Sequence, residues 1–545
     1  MAMIERRVSV KQGTRRSTTL FAAALALAMF AISSHSASAL QPDAPFLVFQ
    51  QKNQAKWVED DKNVEQKLAA LRQRFGKRPN IIYVLADDVG WGELGAYLGG
   101  KVRGTPSPTL DQMAKEGMKF LSHYAEPSCT PSRIAINTGR HPVRTGLNAV
   151  LWPGQTAGLS AEEVTIAEIL SEAGYSTAMW GKWHLGELPE HAPENQGYDY
   201  AHYGLYNGAV YFWADVKDHY LERDIVSGSH PFHDFPGLEE YRETFGIEIK
   251  GHFIGEKGKG RREAEQITSS KAMEDFEDTS IDEITAYIKD KAKSDKPFFI
   301  YWATYFHQDA SSPKEYRDGK FVDYVNNAAA QAGQHNAHMK RLLDTLKAEG
   351  IEENTLVVWV SDNGPMYYFW PSSGYSWLRG HKGQVLEGGV RTPAIAWWPG
   401  MIEPGQDPID KIQITDLFTT AVRIAGAMDK IPSDRITDGI DQTSLLLLGE
   451  DHGRRDYIFH YSGAKIGAVR LFNHKLAGLE KGLFGAKMYN VIRDPREEHP
   501  YTGFLHLITP FQTLFASHQA FIKKFPHRKL PPTPTVPFAD FFLQD

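Results

Sequence analysis

From about residue 80 the chain alternates short apolar runs with amphipathic stretches. Runs at 80–86, 118–124, 176–180, 297–306, 355–360 and 393–398 are nearly continuous in apolar residues. That pattern predicts strands covered on both faces, not half-exposed ones. Helical signals lie between them. Thr165 with Glu168 forms a capping box ahead of Ile169 and Leu170, and Gly174 closes the segment. Ser280 with Glu283 gives the same signal before Ile284, Tyr287 and Ile288. Residues 328–349 predict a longer helix ending at Gly350. Strands alternating with helices predict an α/β domain with a mostly parallel mixed central sheet.

The flanks read differently. Residues 41–78 are polar and charged, with helical spacing of Val64, Leu68 and Leu71 over 63–75. After about Asp441 shorter strand-like pieces (457–461, 468–471, 488–491) predict a small α+β subdomain with an antiparallel sheet. The tail, with Pro531, Pro532, Pro534 and Pro537 beside Phe538, Phe541 and Phe542, is expected to wrap the surface. At the other end Arg6, Arg7, Lys11, Arg15 and Arg16 precede an unbroken apolar run over 20–32, closed by Ala37-Ser38-Ala39. This reads as a secretory signal peptide cut after Ala39, its apolar run shorter than the about 20 residues a spanning helix needs. Thr18 and Thr19 replace the apolar pair that a twin-arginine signal carries after Arg15-Arg16. The expected division is 1–39 signal peptide, 40–77 N-terminal extension, 78–440 main domain and 441–545 C-terminal subdomain with tail. The mature chain is expected to be exported, periplasmic or secreted, without stable membrane insertion.

Composition narrows the function classes. The 545 residues hold 60 Lys+Arg against 67 Asp+Glu, a net charge of -7, with 42% apolar residues. That apolar content excludes disorder, and a nucleic-acid partner calls for a basic excess that is missing. A single cysteine, Cys129, excludes an intramolecular disulfide and any cysteine-built zinc or iron–sulfur site. Nothing in the pattern speaks to oligomeric state.

In open α/β sheets ligands bind at the carboxyl ends of the strands, which turns the strand list into a site list. The first strand runs into Asp87-Asp88, and the 355–360 strand into Ser361-Asp362-Asn363-Gly364. The strand entering Tyr124 leads to Cys129-Thr130-Pro131-Ser132-Arg133, the one ending near Trp180 to Lys182-Trp183-His184, and the 297–306 run to His307. Lys382 precedes Glu387-Gly388-Gly389. A lone Asp-Asp pair is commonly a cap or turn, but a second pair, Asp362-Asn363, at a second strand end points to a hard divalent cation, Ca²⁺ before Mg²⁺. Arg133, Lys182, Lys382, His184 and His307 around that cation make sense with a bridging tetrahedral anion, sulfate or phosphate. His141 and His381 are expected to be structural. Cys129 precedes a helix opening at Pro131, whose N-terminus favours an anion; even so, a lone cysteine is ordinarily a small buried hydrophobe and a thiolate is an odd partner for Ca²⁺. The residues alone therefore reach a metal-assisted oxyanion hydrolase and leave the cysteine unexplained.

Cys129-Thr130-Pro131-Ser132-Arg133 with Thr138-Gly139-Arg140 resembles the sulfatase family signature in which Cys-x-Pro-x-Arg directs oxidation of the cysteine to formylglycine (3-oxoalanine). The second signature runs from Gly174-Tyr175 to Lys182-Trp183-His184, and Gly388-Gly389-Val390-Arg391-Thr392-Pro393 and Asp438-Gly439-Ile440-Asp441 also match. The likeness covers about 78–495, with Asn137 in place of an aliphatic residue, Trp180 in place of a small or aliphatic one, and Gln308-Asp309 after His307 in place of a proline-containing continuation. It implies an alkaline-phosphatase-like α/β sandwich. It implies Asp87, Asp88, Asp362, Asn363 and the converted residue 129 as Ca²⁺ ligands, and a separate formylglycine-generating enzyme as maturation partner. By the same resemblance the hydrated aldehyde at 129 is the nucleophile and Arg133 and Lys182 support it. His184 assists its deprotonation, and His307 and Lys382 bind sulfate and aid the leaving group. The expected activity is hydrolysis of a small-molecule or glycan sulfate ester. The alternatives are a phosphonate or phosphate diester hydrolase and a non-catalytic sulfated-glycan-binding protein. Tyr203, Tyr206, Tyr211, Phe212 and Trp213, residues 366–370, and Tyr375 with Trp377 are either a ring-stacking surface or a packed lid.

Overall fold

The computed structural model describes residues 40–152, 155–206, 251–267, 270–306, 323–366, 374–482, 485–501 and 507–529. The segment 1–39 expected to be a signal peptide, His307, Tyr211, Phe212, Trp213, Tyr367 to Trp370 and the proline-rich tail lie outside the described residues.

Strand β1 (Asn80–Ala86) shows why the apolar runs do not alternate: all of it is buried, with Ile81, Tyr83 and Leu85 in one core and Ile82, Val84 and Ala86 in another. The other strands of its sheet are β2 (Met118–Lys119), β3 (Ser176–Lys182), β4 (Tyr200–Gly204), β5 (His252–Glu256), β6 (Gly260–Glu263), β7 (Phe298–Ala303), β8 (Thr355–Ser361) and β9 (Ala394–Trp397). Their spatial order is β2-β9-β8-β1-β7-β3-β4-β5-β6. The inner five, β8 to β4, are parallel, and both margins are antiparallel. Ala86 is level with Ser361, and Gly181 with Ala303, so the parallel strands end along one edge.

Helices cover both faces. On one side lie α1 (Ala44–Phe75), α3 (Cys129–Thr138), α4 (Ile166–Glu172) and α7 (Ile414–Ile424), giving Leu68, Ile134, Ile169 and Val422 to the first core. On the other lie α2 (Pro108–Glu116), α5 (Ser270–Ala292) and α6 (Asp323–Ala348), giving Met113, Ile284 and Leu342 to the second. A separate antiparallel sheet, β10 (Tyr457–Ser462), β11 (Lys465–Leu471), β12 (His474–Ala477) and β13 (Lys487–Asn490), has its own apolar core with helix α8 (Ile508–Lys524). Among the described residues no helix is long and apolar enough to cross a membrane.

The structure corrects several local expectations. The capping box at Thr165 forms as read, Thr165 Oγ1 accepting from Glu168 N and Glu168 from Thr165 N. The one at Ser280 does not, because α5 has already begun at Ser270. Glu283 instead accepts from Trp180 Nε1 (2.8 Å), Tyr200 OH (3.1 Å) and His202 Nδ1 (3.1 Å). That also accounts for Trp180: a buried indole here has a carboxylate to receive its N–H. The 118–124 run is two strands, Met118–Lys119 in the main sheet and Ser122–Tyr124 paired with Lys411–Gln413. The N-terminal helix starts at Ala44, well before residue 63, capped by Asp43 and closed by Gly76 in the left-handed region. Helix α3 begins at Cys129 itself, two residues ahead of Pro131.

Candidate active site

The ends of β1, β8 and β3 and the start of α3 deliver the polar residues to one buried place. Asp362 N donates to Ala86 O (3.0 Å) and Asp88 N to the Asp362 carboxylate (3.1 Å), so the two acidic pairs lie side by side. Ligand atoms of Asp87, Asp88, Cys129 and Asp362 all fall within 4.8 Å of one another, every one of these residues buried. Lys182 Nζ holds both oxygens of Asp87 (2.9 and 2.8 Å), and Lys382 Nζ both oxygens of Asp88 (2.6 and 2.8 Å). Lys382 Nζ also lies 2.8 Å from Cys129 Sγ, and that thiol is 3.5 Å from Asp87. Arg133, one turn on from Cys129, donates to Asp362 (2.9 Å), to Asp87 (3.4 Å) and to Lys182 O (2.8 Å).

Burial sets the protonation states. It pushes the Cys129 thiol up to about 12 although Lys182 and Lys382 pull the other way. Burial and the charge of Asp87 push Asp362 up to about 7. Burial also opposes ionisation of Asp87, but Lys182, Arg133 and Lys382 outweigh it and hold that carboxyl well below its usual range. Burial, with Lys182 beside it, keeps His184 neutral. Its Nε2 pairs with Leu151 O (2.9 Å), so the neutral ring carries its proton there and leaves Nδ1, buried and without a partner among the described residues, as the acceptor. Asp88 and His184 both have positive φ, 62° and 59°, a conformation that costs non-glycine residues energy and concentrates at functional sites.

The donor set fits a hard divalent cation. Asn363 Nδ2 donates to Asp88 (2.6 Å), while its Oδ1 is buried with no hydrogen-bond partner among the described residues. A bare amide oxygen, three crowded carboxylates and one of them pushed toward neutrality are what a Ca²⁺ or Mg²⁺ ion would satisfy.

Of the residues named from the sequence, Asp87, Asp88, Cys129, Arg133, Lys182, Lys382, Asp362 and Asn363 come together, and His184 joins through the Thr130 hydroxyl, which donates to His184 O (3.1 Å). His307 lies outside the described residues. His141 bonds Glu126 (3.1 Å), away from these contacts. Tyr203 and Tyr206 are buried, Tyr206 edge-on to the His184 ring, so they pack and do not present a surface. Trp377 stays 41% exposed, and Trp152, unnoticed in the sequence, is 52% exposed next to the Leu151 carbonyl that holds His184. The variable positions of the cysteine motif also escaped notice. Thr130 accepts from Leu151 N (3.2 Å), and Ser132 Oγ donates to Asp362 O while accepting from Glu126 N (3.0 Å). Their only signal is a pair of small hydroxyls flanking a proline in a buried turn. Asn137 donates to Arg133 O (2.8 Å) and accepts from Tyr198 OH (2.8 Å), which is why an amide suits that buried position.

A mixed sheet whose parallel strands end in carboxylates, an amide and Lys182, beside a helix that carries Cys129 and Arg133 and a loop that carries Lys382, defines a hydrolase of anionic esters. The chain belongs to the sulfatase family, whose model matches residues 79–427, and is by class a sulfuric ester hydrolase. It is 34% identical over 425 residues to N-acetylgalactosamine-6-sulfatase of Canis lupus familiaris, covering 73% of this chain and 71% of that one. It is 34% identical over 415 residues to arylsulfatase A of Homo sapiens, covering 70% of each. Among solved structures, PsFucS1 sulfatase from Pseudoalteromonas sp. superposes with a TM-score of 0.77 at 31% identity, covering 87% of this chain and 96% of that one.

Proposed function

We propose that this chain is an exported, Ca²⁺-dependent sulfatase that releases inorganic sulfate from a small-molecule or glycan sulfate ester, with position 129 carried as formylglycine. The observation that bears most weight is the convergence of two Asp–Lys pairs on the Cys129 side chain, with Lys382 Nζ 2.8 Å from its sulfur. A thiol pushed to about 12 is a poor nucleophile at neutral pH, so the site suits an oxygen nucleophile at that position better than the thiol itself. Formylglycine, once hydrated, supplies one oxygen to displace the alcohol from sulfur and a second to expel sulfate as the aldehyde re-forms. Asp87, Asp88, Asp362, Asn363 and residue 129 would hold Ca²⁺, which supplies charge stabilisation for sulfate oxygens.

The chain's own groups divide the remaining work. Arg133 from α3 and Lys182 from β3 hold Asp87 ionised beside the side chain at 129. His184, neutral and with Nδ1 free to accept, takes a proton. Lys382 is a sulfate-binding donor and aids departure of the alcohol, together with His307. Export is supported by the leader over 1–39, and conversion of Cys129 calls for a separate formylglycine-generating enzyme.

The test is made on protein co-expressed with such an enzyme. The mass of the peptide holding residue 129 should report aldehyde in place of thiol. Initial rates on 4-nitrophenyl sulfate should exceed those on bis(4-nitrophenyl) phosphate. A thiol that persists in active protein overturns the nucleophile, and a preference for the phosphodiester overturns the reaction.

A further inference from the structure

Lys382 reaches Cys129 from a loop that is footed outside the main sheet. Its near side is pinned beside the site, Lys382 N donating to Pro365 O (3.0 Å) and Gly383 N to Pro127 O (2.6 Å). Its far side is pinned to the C-terminal region. Glu387 N donates to Glu497 Oε2 (2.6 Å), and the Arg379 guanidinium to Glu497 O (2.6 Å). Lys475, on β12, sits between the two carboxylates, 2.9 Å from Glu387 and 3.3 Å from Glu497, and all three side chains are fully buried. Glu387 also accepts from Tyr124 OH (2.7 Å), at the end of the strand that leads to Cys129.

Such an arrangement is costly to assemble. Two carboxylates and an ammonium leave water, which costs several kcal/mol per ion unless geometry repays it. Glu497 adds a φ of 52°, a left-handed backbone for a non-glycine residue, and that strain aims its carbonyl at Arg379 and its carboxylate at Glu387 N. An apolar contact would join a loop to a sheet at lower cost. What the buried charges add is direction: each bond fixes one point of the loop that carries Lys382.

We propose that Glu497 and Lys475 are positioning residues, through which the C-terminal sheet holds Lys382 in register with residue 129. The proposal rests on the reading of Lys382 as a sulfate-binding donor. Because a positioned donor matters most when the leaving group is poor, loosening the tether should change which esters are hydrolysed, not only how fast.

Two variants cut the tether in full-length, matured enzyme. Glu497→Gln keeps the size and removes the charge, and Arg379→Met removes an exposed side chain and with it the donor to the Glu497 carbonyl. Each is expected to lower kcat/KM on 4-nitrophenyl sulfate by roughly tenfold and on a sugar sulfate by more. In a Lys382→Ala background neither should cause further loss, since both act through that side chain. Hydrogen exchange of the 378–388 amides should quicken in both variants. Equal losses on the two substrates, or losses that add to that of Lys382→Ala, overturn the proposal, as do unchanged amides. A parent enzyme that releases no sulfate removes the functional reading instead, and loop exchange then decides the tether by itself.

Discussion

Cys129 is held where a thiol has little chemistry of its own: 1% exposed, between carboxylates, and pushed to about 12. Replacing it by alanine removes one sulfur atom and leaves the Lys382–Asp88 pair intact. Cys129→Ala should therefore stay folded, losing no more than about 2 kcal/mol of stability, while sulfate release falls by at least about a thousandfold. Turnover and a denaturant titration on one preparation check both halves, and retained turnover sinks the nucleophile. Asn363 carries the complementary test for the cation. If its bare Oδ1 is a ligand, Ca²⁺ at about a hundred times its Kd should stabilise the parent by about 2.7 kcal/mol. Asn363→Leu should lose most of that gain. Melting curves with Ca²⁺ and with chelator read it, and a parent indifferent to chelation refutes an occupied site. At this scale the sequence was informative where polar residues follow apolar runs, as Asp87-Asp88 and Asp362-Asn363 do. It was silent where the information is geometric: the positive φ of Asp88 and His184, the bare oxygen of Asn363, and the bonds of Thr130 and Ser132 exist only once separate strand ends meet.

Elements set these geometries, and α3 is the one that carries both Cys129 and Arg133. It ends at Gly139, whose φ of 66° is left-handed and whose N–H caps Ala135 O. A Cβ there would fall 2.5 Å from the buried Phe418 ring, itself on α7. Gly139→Ala is therefore expected to cost about 2–3 kcal/mol, roughly 1–2 from the backbone and the rest from the clash, read as a lowered midpoint in urea. A loss of only about 1–2 kcal/mol would mean that α7 yields to the new methyl, and a neutral effect would refute the backbone cost as well. How far elements could be read follows the same physics. Strand β1 and its parallel neighbours were legible because burial on both faces imposes apolar runs. The marginal strands β5 and β6, with Arg262 and Glu263 exposed and Arg261 stacked on Phe253, carry no such run and went unseen, as did the short β12. Ser280-Glu283 looked like a cap because local sequence cannot reveal that Glu283 is taken by Trp180, Tyr200 and His202 from two other strands.

Across the whole molecule the histidines set the pH range of the fold. His123, His252 and His460 are fully buried, and burial pushes His123 and His252 down to about 3 and His460 well below its ordinary value. They are neutral in the native state, whereas the unfolded chain protonates them below about 6.5. A depressed folded value gives stability that is complete above the unfolded pKa and lost as pH falls, here from about 6.5 downward. At pH 4.5 the loss is about 2–3 kcal/mol for each of the three, against a typical total of about 5–15 kcal/mol. His141 opposes them. Burial would lower it, but Asp438 and Glu126 raise it, so its contribution is whole below 6.5 and fades above. Asp438 adds to the acid loss only below the ordinary carboxyl range, because Arg144 and His141 overcome burial and hold it down. His184 is lowered in the same way and adds to the uptake, Asp362, pushed up to about 7, subtracts from it, and His141 is protonated in both states below 6.5, so acid unfolding takes up a net of several protons. The melting temperature should accordingly be highest near or above pH 7 and fall steeply between 6.5 and 4.5. Replacing His252 by phenylalanine, among Phe276 and Tyr305, should flatten that fall by about one proton. A melting temperature constant from pH 7 to 4.5 would show that these rings find protons, or partners, without unfolding.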